Sequence, residues 1–170
     1  NWTYKAVYNV VEAHSEGDNI ILSNNKCECC HGKNLPLKRE SDKSACISDF
    51  VSPEKDYVGV FATSVNVENI LTTLREQGRE YDAMLLQLFA DRLAEALSVW
   101  QYEKVKQQWG VENMIRPAVG YSCLPNHSLK QDLLELLENK IDIKLTETGA
   151  MMPVSSVCGL YISNSKAKYF

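Results

Sequence analysis

The residues best suited to hold a small charged molecule lie in the run Arg-Pro-Ala-Val-Gly-Tyr at positions 116–121. Pro117 fixes its own φ and restricts Arg116 to extended backbone, while Gly120 permits a conformation that other residues resist. The segment is therefore predicted to be a rigid ledge of backbone, with a guanidinium at one end and the ring of Tyr121 at the other. Such ledges hold planar or zwitterionic ligands, because their donors are fixed in space. An ordinary ordered loop between two helices is the competing interpretation.

Glu95 is an acidic residue that a helical pattern places beside an apolar surface. Residues 80–109 form the longest helical pattern, and Gly110 is expected to end it. Glu95 lies about two turns from Leu88 in the apolar stripe and so borders that stripe. A half-buried carboxylate needs a partner, which would be a ligand group, Arg116, or Arg92 three residues earlier in a structural ion pair. The stripe has the i, i+3, i+4 spacing of a helix packed on a core and comprises Leu85, Leu88, Phe89, Leu93, Ala96, Leu97 and Trp100.

Strands and shorter helices must hold these two segments in place. Alternating and β-branched runs predict strands at 5–13, 19–23, 57–65 and 154–163. Asn66 is expected to cap a helix that runs to Gln77, and a capping box of Ser128 and Gln131 to open a helix that runs to Asn139. The polar stretch 24–44 is predicted to be a long loop or a ragged hairpin.

Strands at both ends of the chain around central helices indicate an α+β fold with a largely antiparallel, twisted sheet and packed helices. None of the eight glycines forms a GxGxxG motif, so a Rossmann fold is not expected. No linker or repeat divides the chain, and residues 1–170 are predicted to form a single domain.

Composition narrows the class of partner. A net charge of −4 and a pI near 5.4 argue against nucleic acid, because phosphate binding needs a basic face. No apolar run approaches the roughly 20 residues that cross a bilayer, and the first residues show no signal-peptide pattern. A membrane partner is therefore not expected. The six cysteines include the adjacent pair Cys29 and Cys30, which favours reduced thiols in a cytoplasmic protein.

One cluster of cysteines suggests a different kind of site, one that binds a metal ion. Cys27, Cys29, Cys30 and His31 place four soft ligands within five residues. Zinc sites prefer C-x₂₋₄-C pairs from two loops, and the remaining cysteines supply no second pair. The sequence therefore predicts no stoichiometric metal, with a small metal-binding protein as the alternative.

Four segments resemble the activation domain of cobalamin-dependent methionine synthase, which binds S-adenosylmethionine. Residues 116–127 are similar to its RPAxGYxxxPxH signature, and residues 45–62 to its "LADFVAP…DYIGAFA" region. Residues 90–96 match its "ADRLAEA" helix, and residues 144–170 follow its "KLTES-AMWPGASVSG…SKYY" tail. The similarity runs from about residue 6 to the end of the sequence given.

The resemblance implies a set of ligand-binding residues and no catalytic ones. The residues that would bind S-adenosylmethionine are Glu95, Arg116, Ala118, Gly120, Tyr121 and Tyr169. Methyl transfer from a sulfonium moves no proton, so the absence of an acid–base constellation is compatible with the role. The family carries a Tyr-Tyr pair at its end; Tyr169 preserves the first member, and Phe170 departs from the second.

The implied function is reactivation, in which the module supplies the methyl group for reductive methylation of cobalamin to methylcobalamin. As part of cobalamin-dependent methionine synthase it would belong to a methyltransferase. The sequence has no Asp-x-His-x-x-Gly run, so cobalamin is expected on a separate domain or protein, with a flavodoxin-like reductase as a further partner. The alternative is a non-catalytic docking scaffold for a corrinoid protein or reductase.

The sequence departs from the family's pattern at two places. The family's domain normally begins earlier, with a segment that contributes an aspartate to the ligand site, and this chain starts after it. The family's longer loop before the signature carries a second acid, and here only Glu112 in residues 111–115 is available for that place.

Overall fold

The computed structural model describes residues 2–23, 32–39, 41, 44–138 and 140–170. Their main sheet has six strands, and every neighbouring pair in it is antiparallel. The strands are β1 (Thr3–Glu16), β2 (Asn19–Leu22), β3 (Lys33–Pro36), β4 (Asp56–Asn66), β5 (Met114–Ile115) and β8 (Ser156–Ser163). Their order across the sheet is β3-β2-β1-β4-β8-β5. A second, two-stranded sheet pairs β6 (Lys144–Leu145) with β7 (Met151–Met152), and the helices are α1 (Glu68–Glu76), α2 (Glu80–Trp109) and α3 (Leu129–Leu136).

The predicted α+β class with a largely antiparallel sheet is confirmed. The four predicted strands correspond to β1, β2, β4 and β8, and β1 extends three residues beyond the predicted end at Ala13. The polar stretch 24–44, predicted to be a long loop or a ragged hairpin, contains the strand β3, which pairs antiparallel with β2. The cysteine cluster at 27–31 lies outside the described residues.

β4 and β8 are neighbouring inner strands of the sheet and are buried on both faces. Residues 58–65 of β4 are all buried, which explains why the strand has a continuous apolar run at 58–62 instead of an alternating pattern. Val60 and Leu160 belong to the core shared with α3, whereas Phe61 and Tyr161 belong to the core shared with α1 and α2. The sheet therefore has a separate hydrophobic core on each side.

The prediction that the large apolar stripe of α2 packs on the core is wrong. Leu88, Phe89 and Trp100 are more than half exposed. The face that lies against the sheet carries small and polar residues instead, and these are Ala83, Ala90, Ala94, Ser98, Gln101 and Val105. Small side chains allow α2 to approach the stacked rings of Phe61 and Tyr161, whose centroids are 4.7 Å apart. Spacing alone does not reveal which of two helical stripes faces the sheet.

The helix ends confirm one predicted signal and correct two. Gly110 ends α2 in the left-handed region, as predicted. The predicted cap of α1 at Asn66 is wrong, because Val67 holds the N-cap position and the Asn66 side chain, one residue earlier, accepts a hydrogen bond from the Glu68 backbone. The prediction of a capping box at the start of α3 is wrong, because the Ser128 hydroxyl donates to Asn126 Oδ1 and makes no hydrogen bond to the backbone of the helix. α3 ends at Leu136, and the predicted end at Asn139 lies outside the described residues.

Among the helices of the described residues, none combines the length and apolar character needed to cross a membrane.

Candidate functional site

The ledge at 116–119 lies against β8 as an additional strand-like segment. The Leu160 N–H donates to the Pro117 carbonyl, and the Val119 N–H donates to the Cys158 carbonyl, both at 2.9 Å. Ala118 faces Gly159 between these two bonds. In such an antiparallel bridge the N–H of Ala118 points away from β8, which leaves a backbone donor at the outer edge of the sheet.

Gly159 allows this close approach. A Cβ atom at position 159 would lie 2.2 Å from the Pro117 carbonyl oxygen and 2.8 Å from the Ala118 Cα. No real Cβ contact is that short, so a glycine is required here for the ledge to pack against β8. Gly159 lies in the tail that resembles the family, but its neighbours in sequence do not show why a glycine is needed, because the crowding arises from a segment about 40 residues away.

Gly120 turns the chain at the end of the ledge. Its φ of 98° lies in the region that favours glycine, and a Cβ there would meet the His127 ring at 2.9 Å. Its N–H donates to the Leu124 carbonyl, and the Tyr121 N–H donates to the Ala118 carbonyl. Gly120 shapes the ledge and directs Tyr121 towards α2; it does not line the cavity described below.

Arg116 is held in place from two sides and keeps donors free. Its Nη1 donates to the Ser98 hydroxyl at 2.6 Å, and its guanidinium lies 5.7 Å from the centre of the Phe61 ring. Its Nη2 is 3.8 Å from Glu95 Oε2, too far for a hydrogen bond. The planar fork is thus oriented without being saturated. Ser98 is a positioning residue that sequence reasoning missed, because its only signal is a polar side chain one turn after Glu95.

Glu95 faces Arg116 and Tyr121. Its Oε1 accepts a hydrogen bond of 2.8 Å from the Tyr121 hydroxyl. This bond to a carboxylate, together with partial burial, raises the pKa of the Tyr121 phenol. The alternative ion pair with Arg92 is not formed in the described part of the chain. Of the two arginines considered as partners of Glu95, only Arg116 therefore lies close to it in the described part of the chain.

The end of the chain closes one side of the site. The Arg116 backbone N–H donates to the Tyr169 hydroxyl at 2.7 Å. The Phe170 carbonyl accepts hydrogen bonds from the Ser122 hydroxyl and the Cys123 thiol, at 3.0 and 3.1 Å. These bonds dock the terminal residues on the ledge.

These groups enclose a cavity of about 250 Å³, which contains five of the six predicted ligand-binding residues. Its lining residues are Glu95, Arg116, Pro117, Ala118, Tyr121, Ser122, Cys123 and Tyr169. Glu95 and Tyr121 also line a neighbouring groove of about 370 Å³ along α2, together with Asp91, Arg92 and Ser155. Glu112 is exposed and does not line the cavity. A cation, an anion, a phenol and a backbone edge in one cleft are suited to bind a zwitterion carrying a flat ring.

The fold is an α+β module with a cleft between the edge of its sheet and a long helix. The chain belongs to the family described as the activation domain of vitamin B12-dependent methionine synthase, whose model matches residues 1–170. A similar solved structure is that of the MetH reactivation domain bound to AdoHcy, with a TM-score of 0.87 and 29% sequence identity. The match covers 99% of this chain and 61% of that chain, so this chain spans about three-fifths of the length of that protein.

Proposed function

We propose that this chain binds S-adenosylmethionine and presents its methyl group for reductive methylation of cobalamin to methylcobalamin, as the reactivation module of a cobalamin-dependent methionine synthase. The observation that carries the proposal is the pairing of Arg116 and Glu95 across a cleft beside the Ala118 ledge. The similar reactivation domain was solved with AdoHcy, the demethylated form of this ligand, which supports the same chemistry here. Residues 1–170 act as one domain in this proposal.

The carboxylate, the ammonium and the adenosine part of the ligand each have a counterpart in the cleft. The free donors of Arg116 take the ligand carboxylate, in the bidentate geometry that a guanidinium favours. Glu95 takes the ammonium, and the exposed N–H of Ala118 and the ring of Tyr121 take the adenosine part. Gly120 contributes to ligand binding by forming the turn that positions Tyr121. Tyr169 contributes by accepting a hydrogen bond from the Arg116 backbone N–H, which holds that backbone in place.

The protein's part in the reaction is binding and alignment. Cobalamin, held by a separate domain or protein, supplies the cobalt that accepts the methyl group. The residues of this chain hold the donor in a fixed orientation, because Arg116 and Glu95 are both anchored by further hydrogen bonds. No proton is transferred, so no residue of the cleft needs to act as an acid or base.

The partners follow from this role. A flavodoxin-like reductase is needed to reduce the cobalt before methylation, and we place the assembly in the cytoplasm. Three cysteines of the described part, Cys46, Cys123 and Cys158, are free thiols, which supports a reducing compartment.

The proposal is tested by calorimetric titration with S-adenosylmethionine, followed by addition of an isolated cobalamin domain and a reductant. We expect saturable binding and the visible spectrum of methylcobalamin. Binding of the cobalamin domain without methyl transfer at saturating ligand would instead support the docking-scaffold alternative. Failure to bind S-adenosylmethionine at all would overturn the proposal.

Cys123 provides an independent readout of occupancy, because its thiol lines the cavity. We expect S-adenosylmethionine to slow alkylation of Cys123 by iodoacetamide severalfold, measured by peptide mass spectrometry. Cys158 is an internal control, since burial raises the pKa of its thiol to about 12 and keeps it unreactive with or without ligand. Equal labelling of Cys123 in both conditions would place the ligand elsewhere.

A further inference from the structure

Asp91 is a carboxylate that hydrogen bonds hold in a fixed position in the groove next to the cavity. Its Oδ1 accepts hydrogen bonds from the Ser155 hydroxyl at 2.6 Å and from Gln87 Nε2 at 2.8 Å. Ser155 is buried and also bonds to Gln87, so the three side chains form a closed network between α2 and the start of β8. Both donors are neutral, and no cationic residue of the described ranges forms an ion pair with Asp91.

Charges follow a definite order along the cleft. Arg116 is anchored at Ser98, Glu95 lies about one turn earlier on α2, and Asp91 lies a further turn away from the guanidinium. Residues four apart on a helix have Cβ atoms about 5–6 Å apart, and both carboxylates line the same groove with Tyr121. A ligand with its carboxylate on Arg116 and its ammonium on Glu95 therefore has a second carboxylate one helical turn further on, in a groove that Arg92 also lines.

The cavity around Arg116, about 250 Å³, is small for a ligand that carries both an amino acid and a nucleoside. The neighbouring groove shares Glu95 and Tyr121 with it, so a ligand that contacts these two residues lies next to the groove that Asp91 lines.

From this order we infer that Asp91 sets the preference of the site for the positively charged sulfonium of S-adenosylmethionine over the neutral thioether of S-adenosylhomocysteine. This inference rests on the proposed function and specifies which residue discriminates donor from product. Both ligands carry the same ammonium and carboxylate, so only the sulfur differs in charge. Glu95 lies 3.8 Å from Arg116, whereas Asp91 forms no ion pair with a cationic residue of the described ranges. Once the methyl group has left, the thioether loses this attraction and dissociates more readily.

The test is Asp91→Asn, which removes the charge while its amide oxygen can still accept from Ser155 and Gln87. Calorimetry at low salt should show about tenfold weaker binding of S-adenosylmethionine, the effect of one charge acting across a partly wet groove. Binding of S-adenosylhomocysteine should change less than about twofold, because its sulfur is neutral. Asp91→Glu should retain the preference. Asp82→Asn is the matched control, since Asp82 lies on α2 outside the groove and pairs with Arg79.

Equal loss of affinity for both ligands, or no loss for either, would overturn the inference and leave the proposed function standing. If the unsubstituted protein binds neither ligand, the proposed function falls as well. A salt series on the unsubstituted protein tests the same point without any substitution. The preference should shrink between about 0.05 and 0.5 M salt as the field of Asp91 is screened, and a constant preference would contradict it.

Discussion

Arg116→Ala is expected to weaken S-adenosylmethionine binding by about 2–5 kcal/mol, which is about 30-fold or more in Kd. The guanidinium is largely buried and oriented by the Ser98 hydroxyl. Removing it leaves the ligand carboxylate without a partner in the cleft and leaves Glu95 without the nearby cation that offsets it. Both changes act on the bound state, so calorimetry should report the loss as a change in affinity.

The control for this variant is Arg79→Ala. Arg79 is an exposed arginine that pairs with Asp82 just before α2 and does not contact the cleft. Its replacement should leave binding unchanged, whereas Arg116→Lys should recover only part of the loss, because an ammonium cannot reproduce the planar fork. Unchanged affinity in Arg116→Ala would remove Arg116 from the site and with it the main argument for the proposed ligand.

Gly159→Ala is expected to cost about 3 kcal/mol of folding stability and to lower the melting temperature by roughly 6–12 °C. The added Cβ would lie 2.2 Å from the Pro117 carbonyl oxygen, and a backbone atom cannot move aside as a flexible side chain can. The ledge must therefore shift outward, which breaks its hydrogen bonds to Cys158 and Leu160. Thermal unfolding monitored by circular dichroism measures the effect.

The same shift should reduce ligand affinity, because Arg116 and Ala118 belong to the displaced segment. The matched control is Gly17→Ala in the turn between β1 and β2. Gly17 has a positive φ and no neighbouring atoms near its missing Cβ, so its replacement should cost only about 1–2 kcal/mol of backbone strain and leave binding intact. A melting temperature for Gly159→Ala equal to that of the unsubstituted protein would show that the ledge accommodates the added Cβ without loss of folding stability.

Much of the scaffold follows from local information in the sequence. The bounds of α2 were predictable because Gly110 ends the helix through its own backbone freedom. The buried run of β4 was predictable because a central strand needs apolar side chains on both faces. The ledge was predictable for the same kind of reason, since Pro117 and Gly120 act on their own dihedral angles and those of their neighbours.

Only the tertiary structure decided how these pieces meet. Nothing local distinguishes the large apolar stripe of α2 from the small-residue face that packs on Phe61 and Tyr161, because both have helical spacing. The structural roles of Ser98 and Gly159 depend on segments distant in sequence, as does the network that fixes Asp91. Dihedral preferences act within a few residues and can be read from the chain, whereas close approach and charge compensation depend on atoms that only folding brings together.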